Sequence, residues 1–389
     1  MRHSRPLRGR APIKEHMTHS TRLALIAASV ATALLTHSAS AADKAKPVNK
    51  EEMEAATRLQ VFLDRARFAP GKIDGRYGEF TTKSLALYRQ SVGEAAPVPT
   101  VTPEEKEPAE KKADAKAPAA AAPDVSGIDL ASVEPLFVTY TVTEDDLKNV
   151  GELPKEVPDQ ATLKVLPYES AVEAIAEKFH VDQDFLGELN PGKTEAIKAG
   201  DVLTVPNVEP FDIAVLQKKP ADEKAPASNE DEGDDKKAEG KDKPKAEPEP
   251  TPEPIVASVK VDTSTNMLTL YENEKLIAAY PVTIGSERTE SPVGDWKVKG
   301  VAKMPNFRYD KAMLNKGERS DDFHMLPPGP NNPVGVIWIQ LSKKGIGLHG
   351  TSDPDAIGRS ASHGCIRLAN WDIVRLAEKV KGGVAVSIR

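Results

Sequence analysis

The residues best equipped for chemistry lie at positions 345–371, GIGLHGTSDPDAIGRSASHGCIRLANW. This stretch holds the chain's only cysteine, Cys365, with His363 two residues before it and His349 further upstream. Only a thiolate attacks, and imidazole can take a thiol's proton at neutral pH, so a lone thiol beside two histidines is a candidate nucleophile with a candidate base. In an extended segment His363 shares the face of Cys365, whereas His349 would arrive from a neighbouring strand. Gly364 permits close backbone approach, so the N–H groups of Gly364 and Cys365 are candidate oxyanion donors. Arg367 is a candidate to hold a substrate carboxylate. Other readings stay open: a zinc site completed by Asp353 or Asp355, two structural histidines, or an inert buried thiol. The polar, glycine-flanked setting Ser362-His363-Gly364-Cys365 opposes the last of these.

These residues need elements to position them, and the chain's 389 residues suffice for two or three domains. Aromatics are only 5% and prolines number 32, so part of the length lacks the apolar surface to fold. A net charge of −7 disfavours nucleic acid as a partner. With a single cysteine, no intrachain disulfide can form.

Residues 1–41 read as an export signal: basic residues, an apolar run at 23–35, then Ala39-Ser40-Ala41 as a cleavage site. The run is too short to span a bilayer, so the mature chain is expected to lack a transmembrane segment. Met17 is an alternative start, and an uncleaved anchor the competing reading. Residues 49–92 predict two helices, with Leu59, Phe62 and Leu63 on one, Leu85 and Tyr88 on the other, and Thr81 as an N-cap. Residues 93–128 and 217–254 are Pro-, Ala- and charge-rich, and are expected to be disordered linkers. Between them, residues 137–208 predict strand, helix, helix, strand. Residues 255–389 predict strands at 257–262, 267–271, 276–284, 294–298, 336–341 and 384–388. A single helix at 371–380, with Asn370 as its N-cap, completes the unit. Mostly β with one helix fits a sandwich or barrel rather than a doubly wound fold.

Three resemblances follow. Leu348-His349-Gly350-Thr351, Pro354, Ile357-Gly358 and Ser362-His363-Gly364-Cys365-Ile366-Arg367, together with Ser291-Pro292-Val293-Gly294 and residues 326–335, resemble the signature of the L,D-transpeptidase catalytic domain, the YkuD family. Gly71, Asp74, Gly75 and Gly78 in residues 49–92 resemble the loop of a small helical peptidoglycan-binding domain. Residues 137–208 resemble a LysM domain, a binder of N-acetylglucosamine-containing glycans, in Tyr140-Thr141-Val142, Ile175-Ala176-Glu177-Lys178-Phe179, Leu189-Asn190 and residues 200–206. They depart from it by an insertion at 148–167.

The first resemblance implies a β-sandwich-like catalytic domain with no metal or organic cofactor. It implies Cys365 as acylated nucleophile, His349 as general base, and the Gly350 carbonyl as the group that orients the imidazole. His363 and Arg367 would bind the donor or stabilise the intermediate, and Ser362 would support the loop. The expected whole is a multidomain, periplasmic, wall-associated enzyme whose partners are peptidoglycan stem peptides and glycan. It would form a thioester with a tetrapeptide stem, release D-alanine, and pass the acyl group to an amine, giving a 3→3 cross-link or attachment of a protein or D-amino acid. Water as acceptor would make it an L,D-carboxypeptidase or amidase, and an idle thiol would leave a wall-binding scaffold.

Overall fold

The computed structural model describes residues 49–94, 121–217, 256–285, 291–359 and 364–389. The expected export signal, most of both expected linkers, and Ser362 and His363 lie outside the described residues.

Leu59, Leu63 and Ala56 recur at helical spacing, and they form the buried stripe of α1 (Lys50–Arg65). The Asn49 side chain starts this helix by accepting from Glu51 N–H. α2 (Glu79–Ser91) starts earlier than the sequence suggests: its N-cap is Gly78, and Thr81 lies buried inside the helix. The extended backbone at Gly78 already breaks the helix, so no hydroxyl cap is needed; the Thr82 hydroxyl donates back to Gly78 O. Residues 121–128, read from composition as linker, pack on α2. Arg89 donates to Asp124 O and Ser126 O, and Val125 and Ile128 lie against the helical core.

The next module runs β1 (Phe137–Thr141), α3 (Glu144–Leu147), α4 (Val157–Gln160), α5 (Ala171–Lys178), α6 (Gln183–Leu189), β2 (Val202–Pro206) and α7 (Ile213–Gln217). β1 and β2 pair antiparallel, from Phe137↔Pro206 to Thr141↔Val202. Ser170 caps α5 and Asp182 caps α6 through their side chains. Ile175, Phe179, Phe185, Leu186 and Leu203 fill the core between helices and ribbon. The insertion at 148–167 includes α4.

The last unit contains β3 (Ala257–Asp262), β4 (Met267–Glu272), β5 (Lys275–Pro281), β6 (Gly294–Lys303), β7 (Phe307–Tyr309), α8 (Lys311–Lys316), β8 (His324–Leu326), β9 (Ile337–Leu341), β10 (Gly347–His349), β11 (Ile366–Arg367), α9 (Asn370–Ala377) and β12 (Ala385–Ile388). Eight strands form one sheet in the order β11-β10-β9-β6-β12-β3-β4-β5, with β7–β8 a separate ribbon. Asn273 and Glu274, at φ 47° and 66°, supply the left-handed pair that a tight β4–β5 hairpin requires. β6 is ten residues long and bulged between Val298 and Gly300, so one strand pairs with β12 and then with β9.

The sheet curls until its edges meet: Thr283, just beyond β5, exchanges two backbone hydrogen bonds of 3.0 Å with Arg367 of β11. Val259 and Leu268 from one side, Ile339, Leu348 and Ile366 from the other, and Trp371, Ile373 and Leu376 of α9 share a single core. The domain is mainly β, as expected, but it is one curled sheet rather than two stacked ones, because the bulged β6 serves both halves. The expectation of a single helix is also corrected: α8 forms as well, capped by the Asp310 carboxylate on Met313 N–H. α9 begins at Asn370 and its N-cap is Ala369, since the Asn370 side chain is engaged elsewhere.

The described residues pack together rather than as separate beads. Ala69 N–H donates to Ala279 O and Ala279 N–H to Arg67 O, adding residues 67–69 to the edge of β5. Leu166, in the insertion, donates to Pro328 O at 2.9 Å, and Asn331 Nδ2 donates to Pro167 O at 2.8 Å. Asp64 of α1 is fully buried and holds both Arg375 of α9 (2.9 and 3.0 Å) and His180 Nδ1 (2.9 Å). Burial alone would raise its carboxyl, but the charges of His180 and Arg375 overcome this and hold it well below the usual carboxylate range.

Candidate active site

Strand alternation decides which side chains meet. β10 pairs parallel with β11 (Leu348↔Ile366, His349↔Arg367) and antiparallel with β9 (Gly347↔Gln340, Leu348↔Ile339, His349↔Trp338). Leu348, Ile366 and Ile339 are fully buried on the core face. Their alternates Gly347, His349, Arg367 and Trp338 therefore occupy the opposite face. Cys365, one residue before Ile366, falls on that face beside Gly347, and its Sγ–H donates to Gly345 O at 3.6 Å. The strand pairing thus brings the only thiol and His349 to one face of adjacent strands.

His349 is 4% exposed, and its Nδ1 donates to Gly350 O at 2.6 Å. Nε2 is then the ring's acceptor nitrogen. The ring stacks on Trp338, with centroids 5.4 Å apart and planes at 18°. The indole also lies over Gly347, where an added Cβ would come within 2.7 Å of it. Glycine at 347 leaves room for that ring.

Burial, reinforced by the positive Arg367, pushes the imidazole down to about 3 against the opposing Gly350 bond. Burial pushes the Cys365 thiol up, despite the Gly347 amide and Arg367. Both shifts favour the uncharged forms, a neutral thiol and a neutral imidazole. Arg367 is half-buried, and its Nε has no hydrogen-bond partner among the described residues.

The turn after His349 is held from behind. A Cβ at Gly350 or at Gly335 (φ 62°) would collide with the Asn370 carboxamide. Asn370 Oδ1 accepts from Val336 N–H at 3.1 Å, while Nδ2 donates to Glu177 Oε1 at 2.9 Å and Pro330 O at 3.3 Å. This asparagine, expected as a helix cap, instead ties the 330–336 loop and the Gly350 turn to helix α5. Beyond the turn, Asp353 accepts from Asp355 N–H and Ala356 N–H, and Asp355 pairs with Lys72. Both candidate zinc ligands are thus engaged with other partners. Gly358 lies against the Phe80 ring, with no room for a side chain. Gly364 takes φ 100°, a backbone that favours glycine.

Sequence reasoning missed Trp338, Gly335, Glu177 and the inward role of Asn370. The alternation Ile337-Trp338-Ile339 was the available signal for the first, since it puts an aromatic on the polar face. A cleft of about 670 Å³ adjoins this turn, between the second module and the sheet, lined by Glu169, Glu173, Asn331, Ser352 and Asp353.

The sequence model of the YkuD family, the L,D-transpeptidase catalytic domain, matches residues 257–388. The YkuD protein of Bacillus licheniformis, named as an L,D-transpeptidase, is 33% identical over 130 residues, which are 33% of this chain and 64% of that protein. YqjB of Bacillus subtilis, named likewise, is 30% identical over 135 residues, 33% of this chain and 69% of its own. The chain thus spans about two thirds of the length of these relatives. Among solved structures, L,D-transpeptidase 3 of Mycobacterium tuberculosis covers 35% of this chain and 60% of its own at 16% identity and TM-score 0.29, too slight a likeness to bear on the site.

Proposed function

The chain belongs to the YkuD family of L,D-transpeptidase catalytic domains, and from that premise we propose that it acylates Cys365 with a peptidoglycan stem peptide and passes the acyl group to an amine. The observation that carries this reading is His349, with Nδ1 held by the Gly350 carbonyl, on the same face as Cys365. That carbonyl takes the place a carboxylate has in a Ser-His-Asp triad.

In the proposed reaction the Cys365 sulfur attacks the carbonyl carbon of the third stem residue as its proton passes to His349 Nε2. The N–H groups of Gly364 and Cys365 receive the developing oxyanion, with Arg367 and His363 binding the donor and Ser362 supporting their loop. The C–N bond to D-alanine breaks, and the imidazolium proton leaves on the departing amine. The acceptor amine then attacks the thioester and gives a proton to His349, the C–S bond breaks, and that proton returns to sulfur. An amine from a neighbouring stem gives a 3→3 cross-link; water in its place gives a carboxypeptidase. We place the protein outside the cytoplasm at the wall, with the helical and α+β modules as wall-binding elements; the apolar run ahead of Ala39-Ser40-Ala41 and their motifs support this.

The full chain, incubated with tetrapeptide muropeptides, is expected to yield dimers; tripeptide alone would mean hydrolysis. Intact mass with a carbapenem should show one adduct, lost in Cys365→Ala while sacculus binding persists. A wild-type protein that binds sacculi but takes no adduct would be a scaffold.

A further inference from the structure

Asn370 connects the catalytic face to a module nearly two hundred residues away in sequence. Its carbonyl end rests on Gly335 and Gly350 and accepts from Val336 N–H, while its amide end donates to Glu177 on α5. Asn370 is wholly buried and Glu177 is 8% exposed. The second Glu177 oxygen accepts from the Tyr168 hydroxyl, so the carboxylate is fixed by two donors from different elements. A buried carboxamide takes the orientation its partners dictate, because turning it over would leave both ends unsatisfied. Glu177, the nearer of the two acceptors beside Pro330 O, therefore favours the orientation in which Oδ1 meets Val336 N–H and the Gly350 turn. The Gly350 carbonyl in turn sets the His349 ring.

We propose that Glu177 is a positioning residue for His349, acting through Asn370 and its contact with Gly350, so that the α+β module is part of what aims the base. This rests on the reading of His349 as that base. Loosening Asn370 frees the Gly350 carbonyl; losing that bond alone would lower the ring's titration further, but burial is the larger cause of its depression, so a ring that also admits water titrates closer to the ordinary histidine range. The charge acting on that ring is the guanidinium of Arg367 on β11, with the Cys365 thiol on the same face. Neither residue is altered in the test.

The test follows the His349 ring by ¹H–¹⁵N NMR across a pH series in the full chain, with carbapenem acylation measured alongside. Glu177→Leu should raise the ring's titration midpoint by about one pH unit or more and slow acylation about tenfold. Glu177→Gln, which keeps an oxygen for Asn370 and can donate to the Tyr168 hydroxyl, should restore both. Phe179→Leu, a core change in the same module, should lower Tm and move neither. If Glu177→Leu does not fold, Tyr168→Phe removes one donor to Glu177 without removing the ring and should shift the midpoint the same way by less. An unmoved midpoint in the folded Glu177 or Tyr168 variant, or an equal shift in Phe179→Leu, overturns the proposal. The ring titration needs no catalysis, so a protein that takes no adduct loses the functional reading while this one is still decided.

Discussion

His349, the proposed base, ties the folded chain's stability to pH through one proton. In the folded chain the ring stays neutral down to about pH 3, whereas an unfolded histidine charges near 6.5. Its folded value is depressed, so the unfolded chain binds the proton first. The ring's contribution to stability is whole above about pH 6.5 and is lost progressively as pH falls toward 3, reaching about 4 kcal/mol. Urea unfolding between pH 7 and 4 should therefore show wild type losing more stability than His349→Asn. The same variant should slow acylation by about 10²–10⁴-fold, as expected for loss of a general base. If His363→Ala proves the costlier change, the roles of the two histidines are exchanged. Cys365, His349 and Gly350 were legible because they sit in contiguous motifs. Trp338, Gly335 and Glu177 were not, because what gives them a role is strand register and a hydrogen bond across 193 residues.

At the scale of elements, the insertion at 148–167 has a structural use. Leu166 is fully buried and bonds the loop at Pro328 and Asn331 through its backbone. Gly329, at φ 155°, lets the two backbones meet, and any Cβ there would run into Leu166. Gly329→Ala should cost about 2–4 kcal/mol in urea unfolding, because backbone cannot step aside as a flexible side chain can. Gly71→Ala, also at positive φ but with open space around it, should cost less. Alternation revealed most strands of the sheet, while the left-handed pair at Asn273-Glu274 that closes the β4–β5 hairpin is seen in the structure. The curl was hidden, because it depends on one bulge in β6 and on a bridge between residues far apart in the chain.

At the scale of the molecule, Asp64, His180 and Arg375 bring three regions into one buried network, and Met267, Leu276 and Ala279 of the sheet complete the core of the helical hairpin. Asp64→Ala leaves the Arg375 charge without its main partner and should cost about 3–5 kcal/mol. Calorimetry should show the whole transition moving down together rather than splitting in two. Composition pointed to independent modules on linkers, since docking surfaces made from residues 311 apart leave no local pattern.

The closure of the sheet leaves its final fastening beside Cys365. β11 has two residues, and on one flank it is joined, among the described residues, by the reciprocal pair with Thr283. A hoop parts first where it was last clasped, so the Arg367 and Thr283 amides should take up deuterium ahead of those in β3 and β4, with the rest of the sheet still shut. Cys365, two residues before Arg367, is thereby carried beside that clasp.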